Sequence, residues 1–85
     1  MAPIPPTLEQ DLIKLLSELT ETSVEAFTPE ANFWKDLGID SIKAIEITVA
    51  IERKYGIRIR DEQIPMISNV SQAVAAVKQL LAKKP

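Results

Sequence analysis

Ser41 is the residue whose surroundings are most suited to chemistry. It stands in Asp36-Leu37-Gly38-Ile39-Asp40-Ser41-Ile42, just ahead of a helix-forming run from Lys43 to Tyr55. This spacing predicts that Gly38 turns the chain, that Asp40 caps a helix and that Ser41 lies in its first turn. A helix N-terminus has unpaired N–H groups and partial positive charge, which favour a phosphate ester there by about 0.3–1 kcal/mol. The same setting gives the serine no catalytic partner. A nucleophilic hydroxyl needs a base within hydrogen-bond reach, and the chain contains neither histidine nor cysteine. Lys43, two positions on, projects from another part of the helix surface. The missing cysteine and histidine also remove thiolate nucleophiles and the usual zinc ligand sets. Gly38 and Gly56 are the only glycines, too far apart to build a phosphate-cradling loop. Asp36 with Asp40 could hold a hard cation through mostly water ligands. The competing expectation, and the one adopted, is that Asp40 caps the helix, Asp36 is solvated and no metal is bound.

The rest of the composition narrows the class of protein. At 85 residues the chain makes one domain, near the size at which a single core suffices. Hydrophobic residues make up 46% and charged residues 26%, the balance of a folded globular protein. Net charge is −2 and no basic cluster exceeds Lys83-Lys84, so nucleic acid is not expected as a partner. Met1 to Pro6 has neither the basic residues nor the apolar run of a secretory signal. No segment has the length of a membrane span. A cysteine-free chain suits a reducing compartment, and the expectation is a cytoplasmic monomer. Residues 1–6 are expected to form a flexible segment, 7–82 the domain and 83–85 a tail.

The elements that must position Ser41 follow from periodicity and capping. Thr7, with Gln10 three positions on, has the spacing of a capping box at the start of helix one. Leu8, Leu12, Leu15, Leu16 and Leu19 then form one apolar stripe. A long connection from Glu21 to Ile39 carries Val24, Phe27, Phe33, Trp34 and Leu37, which places it across the core; a loop this long is usually functional or itself packed. Phe33 and Leu37 are expected to be buried, and Trp34 to pack rather than stack on a cofactor. Helix two spans about Ser41 to Tyr55 and stops at Gly56. At 100° per residue, Ala44, Ile47, Ile51 and Tyr55 form a core-facing arc. Ile42, Ile45 and Val49 form a second apolar arc, which either lies exposed as a contact surface or packs under the long loop.

Beyond Gly56, Ile57-Arg58-Ile59-Arg60 alternates as an extended connection with inward isoleucines, since a lone strand makes no sheet. Asp61 to Ile64 opens a short turn that Pro65 is expected to limit. Asn69 caps the last helix, again with a glutamine, Gln72, three positions on, and Val70, Val74, Val77 and Leu81 give it an inner face. The core is expected to comprise Leu12, Leu16, Leu19, Phe33, Leu37, Ile47, Ile51, Val70, Val74 and Val77. The fold class is all-α: a small four-helix bundle of three main helices and one short one, with a long loop between helices one and two.

With these residues in place, the chain resembles the acyl carrier protein family. The likeness centres on Phe33-x-x-Asp36-Leu37-Gly38-Ile39-Asp40-Ser41-Ile42, similar to the family's Asp-Leu-Gly-x-Asp-Ser-Leu signature with isoleucine last. It continues through Glu46, Ala50-Ile51-Glu52, Tyr55-Gly56, Ile57, Ile59 and Asp61-Glu62 to the capped final helix, roughly Leu8 to Leu81. The resemblance implies that Ser41 is the attachment point for 4′-phosphopantetheine, donated from coenzyme A by a phosphopantetheinyl transferase that also recognises Asp40. It implies a carrier rather than an enzyme, holding acyl groups as thioesters on the thiol of that arm. It further implies that Ile42, Ile45 and Val49, with Glu46, dock the acyl-transferring and chain-elongating enzymes of a synthase.

Certain residues depart from the fatty-acid-synthesis pattern. Helix two is not strongly acidic: Lys43, Arg53 and Lys54 oppose Glu46 and Glu52, and Arg58 and Arg60 follow. Gly-Ile-Asp-Ser-Ile-Lys also resembles carriers of polyketide and polyunsaturated-fatty-acid synthases, which points to a specialised member. Peptidyl carriers commonly have Gly-Gly-His before the serine, and Gly38-Ile39-Asp40 speaks against that class without removing aminoacyl cargo. A non-carrier helical docking or scaffold module remains a further alternative, with Ser41 as a helix cap or kinase site. A small enzyme is the third alternative, opposed by the missing base.

Overall fold

A computed structural model describes residues 6–83. The segment anticipated as flexible, 1–6, and the tail, 83–85, lie outside the described residues except for Pro6 and Lys83. The described chain forms three α-helices, α1 (Leu8–Thr20), α2 (Ser41–Tyr55) and α3 (Val70–Ala82), with 3₁₀ segments at Val24–Ala26 and Asp61–Met66. It is an all-α bundle of three long helices and one short one, with no strand among the described residues.

Helices of 13–15 residues are marginal on their own in water and depend on burying one face. In α1 that face is Leu8, Leu12 and Leu16, all buried, with Leu15 and Leu19 half-buried beside them. Each fully buried leucine stabilises by about 1.5–3 kcal/mol relative to leaving it exposed. The core is completed by Ala44, Ile47 and Ile51 of α2, by Val70, Ala73, Val77 and Leu81 of α3, and by Phe27, Phe33, Ile39, Ile57 and Ile59 from the connections. Phe27 and Phe33 meet edge to face, with ring centroids 6.4 Å apart. The inward turn of Ile57 and Ile59 matches the alternation in the sequence.

Several local expectations need correction. Thr7 does not cap α1: its backbone is not extended, and its hydroxyl donates to Asp11 Oδ2 at 3.0 Å instead. Leu37, Leu19 and Val74 are only half-buried, while the smaller Ala73 takes a fully buried place on α3. Val24 is exposed, whereas Phe27 three residues on is buried. Pro65 does not stop the short helix but lies inside it. The bond it forgoes would go to the carbonyl of Glu62, an exposed residue that water can serve. Asn69 does cap α3, its Oδ1 accepting from Gln72 N at 2.8 Å. Gln72, however, reaches back to the Ser68 N–H at 2.6 Å rather than to Asn69.

One polar atom of the core region is left without a partner. The Tyr55 hydroxyl is buried and makes no hydrogen bond among the described residues. Burial raises its pKa above the usual phenol range, and the negative charge of Asp11 adds to the shift. The fold therefore favours the neutral phenol, so stability is fully present below about pH 10 and falls as pH rises beyond it. Tyr55→Phe removes an unsatisfied group that costs about 1–3 kcal/mol when fully desolvated. The variant should match or exceed the parent in denaturant midpoint at neutral pH and lose less stability above pH 10; chemical unfolding at both pH values checks this.

Candidate functional site

The segment before α2 is built to deliver Ser41 to the surface in one orientation. Asn32 opens a single helical turn: its Oδ1 accepts from Trp34 N at 2.9 Å and Lys35 N at 2.8 Å. Asp36 closes the same turn by accepting from Asn32 N at 2.8 Å. Asp36 is therefore a partner of the loop backbone and not merely solvated. Asn32 was missed as a positioning residue, although a cap-type residue four positions ahead of an aspartate was a visible signal. Phe33 N–H donates to the Ser68 carbonyl at 2.7 Å and Ile39 N–H to the Phe33 carbonyl at 2.9 Å, which ties this turn to the start of α3 and to the approach to α2.

Gly38 then takes φ = +65°. A Cβ there would meet nothing within 4 Å, so the glycine is required by conformation rather than by space. Ile39 enters the core, and Asp40 adopts the extended backbone of an N-cap, its Oδ1 accepting from Lys43 N at 2.8 Å. Asp36 and Asp40 are each engaged with backbone, and no cluster of three or more metal-ligating side chains exists among the described residues.

Ser41 is exposed as the first residue of α2, and its hydroxyl makes no hydrogen bond among the described residues. Ser41 and Ile42 likewise have N–H groups without a protein partner there, so the positive end of the helix faces the hydroxyl. Ser41 borders a groove of about 880 Å³ that runs between α2 and the short helix, past Trp34, Ile45, Thr48 and Val49 to Arg58. Trp34, Ala44, Thr48, Ile59 and Ile64 also line an inner cavity of about 40 Å³, so one wall is common to groove and interior. A cavity this size holds a few atoms at most. Trp34 is half-buried and packs against the core as expected, and it also lines both the groove and the cavity.

The second apolar arc of α2 is on the surface: Ile42 is 71% exposed, Ile45 56% and Val49 39%. These values decide between its two expected fates, because none of the three packs under the loop. Glu46 lies beside the arc but is not free. Lys43 Nζ donates to its Oε2 at 2.9 Å, and this contact raises the lysine pKa. The pair cancels its own charge and leaves Asp40 as the unpaired carboxylate beside Ser41 among the described residues.

Known proteins are similar to this chain over most of its length. Residues 10–77 match the family described as phosphopantetheine attachment site. An acyl carrier protein of Helicobacter pylori (strain G27) is 38% identical over 71 residues, covering 84% of this chain and 91% of that protein. A meromycolate extension acyl carrier protein of Mycolicibacterium aurum is 36% identical over 74 residues, covering 87% and 76%. The protein of that description in Mycobacterium bovis is 36% identical over 84 residues, covering 94% and 73%.

The Asp40 cap gives a direct test of the local geometry. Asp40→Ala should lower stability by about 1 kcal/mol, whereas Asp40→Asn, able to accept the same bond, should retain most of it. Denaturant unfolding of the two variants separates hydrogen bonding from charge.

Proposed function

The chain belongs to the acyl carrier protein family, and from that premise we propose that Ser41 is the attachment point of its 4′-phosphopantetheine. The observation that carries the assignment is an exposed, unpartnered serine hydroxyl at the N-terminus of α2, inside the matched segment of a chain without cysteine. The prosthetic group supplies a thiol, able to hold acyl groups as thioesters, to a protein that has none. The residues present suit it. Ser41 Oγ would take the phosphate ester, where the free N–H groups of the first turn favour added negative charge. Asp40 holds that turn in place and offers its exposed carboxylate to the transferase. The base for attachment would come from that transferase, in keeping with a chain that has no histidine or cysteine.

The protein's own part is presentation. The groove beside Ser41 gives the arm a surface to lie along, and the inner cavity of about 40 Å³ is too small for an acyl chain unless α2 and the short helix part. Acyl groups are then passed among acyl-transferring and chain-elongating enzymes, with Ile42, Ile45, Glu46 and Val49 as the docking face. A specialised synthesis of fatty-acid-like or polyketide chains is favoured over housekeeping work. Supporting this are the mixed charge of α2 and the likeness to carriers whose names specify meromycolate extension. We place the protein in the cytoplasm as a monomer with no nucleic-acid partner; among the described residues no helix is long and apolar enough to cross a membrane.

Co-expression with a broad-specificity phosphopantetheinyl transferase should add one phosphopantetheine to the intact mass, and Ser41→Ala should fold normally yet gain nothing. Modification that persists in Ser41→Ala would overturn the assignment. Ser17 and Ser23 already have hydroxyls engaged, with the Thr22 carbonyl and Glu25.

The exposed arc yields a separate test. Truncating a central apolar docking residue costs about 2 kcal/mol or more of binding. Ile45→Ala and Val49→Ala should therefore weaken partner affinity markedly while leaving the thermal midpoint nearly unchanged. Unfolding of the variants, with full affinity in the folded remainder, would make the arc part of the core after all.

A further inference from the structure

Along α2, the apolar arc runs away from Ser41 and meets a different electrostatic environment at its far end. Near Ser41, Lys43 and Glu46 neutralise one another. At the far end, Val49 borders a hollow of about 210 Å³ lined also by Glu52, Arg53, Ile57 and Arg58. Both arginines are exposed, and neither is in an ion pair among the described residues.

The one carboxylate in the wall, Glu52, is held by the backbone and pairs with neither arginine among the described residues: its Oε2 accepts from Ile59 N at 2.7 Å. That bond holds the segment after Gly56 against α2. Ile57 and Ile59 are buried, and the alternation leaves Arg58 exposed between them, lining the same hollow as Arg53. Arg60, Asp61 and Glu62 lie on the adjoining groove rather than in this hollow. The result is a hollow with apolar lining from Val49 and Ile57 and two arginines, Arg53 and Arg58, against the single carboxylate of Glu52. A guanidinium presents donors in a rigid fork matched to carboxylate oxygens.

We propose that the hollow lined by Arg53 and Arg58 is a socket for a carboxylate side chain of a partner enzyme. The docking face then has two parts, an apolar stripe beside Ser41 and an anionic anchor supplied by the partner. From the helical rise, Val49 lies about 12 Å along α2 from Ser41. The two parts together fix both the position and the direction of the carrier on its partner. An enzyme with a cationic rim at that place would bring like charges together, which slows encounter and rejects the pairing. The proposal rests on the docking role of α2 argued above and adds the sign of the partner's charge.

The test uses a mechanism-based crosslinking pantetheine loaded on Ser41. The probes are a fatty-acid ketosynthase with a cationic carrier-docking rim and a variant of it in which those lysines and arginines are changed to glutamate. Crosslinking rates are measured at low and high salt. The parent carrier should react about tenfold faster with the glutamate-rimmed enzyme at low salt, and the preference should shrink at high salt. Arg53→Ala with Arg58→Ala should abolish the preference, and Arg53→Glu with Arg58→Glu should reverse it, with thermal midpoints confirming folded variants. A parent carrier that does not distinguish the two enzymes, or a preference that survives loss of both arginines, overturns the socket. Loading is read first by intact mass: a carrier that cannot be loaded would overturn the phosphopantetheine assignment and the socket with it, whereas normal loading without a charge preference overturns the socket alone.

Discussion

Ile39 is drawn into the core while its neighbours Asp40 and Ser41 are left at the surface, and the functional end of the molecule is organised around that anchoring. Burying an isoleucine stabilises by about 1.5–3 kcal/mol, which outweighs the small cost of the turn at Gly38, where φ is positive and no side chain must be accommodated. With Ile39 fixed and its N–H bonded to the Phe33 carbonyl, the chain can leave the core in few directions. Asp40 then selects one by capping the Lys43 N–H. The exposure of Ser41 is thus a consequence of core packing one residue earlier, not of a flexible loop.

Such an arrangement explains why a long connection in a small domain need not be loose. Asn32 and Asp36 close a turn on each other, Phe27 and Phe33 take core positions, and two backbone bonds join the loop to the region of α3: Phe33 N–H to the Ser68 carbonyl and Ser71 N–H to the Pro29 carbonyl. The loop behaves as a layer of the bundle, and the free energy that orders it comes from aromatic burial.

The position of α2 was legible because capping residue, periodicity and stop signal agreed, and the start of α3 because a capping residue headed an apolar face. Asp40 and Gly56 delimit α2, and Asn69 begins α3. The two arcs of α2 could be separated by angle alone, but only the structure showed which of them was covered. Where local signals competed with tertiary packing they misled. Thr7 and Gln10 had the right spacing for a capping box, yet Thr7 found Asp11 nearer. Ala73 is buried where Val74 was expected, and Val74 lies half-buried beside it. The Lys43–Glu46 pair and the bond from Glu52 to Ile59 depend on side-chain direction and on a return of the chain, neither of which spacing reveals. The prosthetic group was legible only through the motif's resemblance to a family, since no composition argument names one.

Trp34 stands in the partition between the groove beside Ser41 and the inner cavity, and it is the only tryptophan in the chain. The molecule therefore contains its own optical reporter. An apolar chain displacing water from the groove wall, or passing into the interior, changes the polarity around one indole with no other tryptophan to dilute the signal. Emission wavelength and quenching by iodide can then follow the occupancy of that wall in solution, on unlabelled protein and as cargo is exchanged.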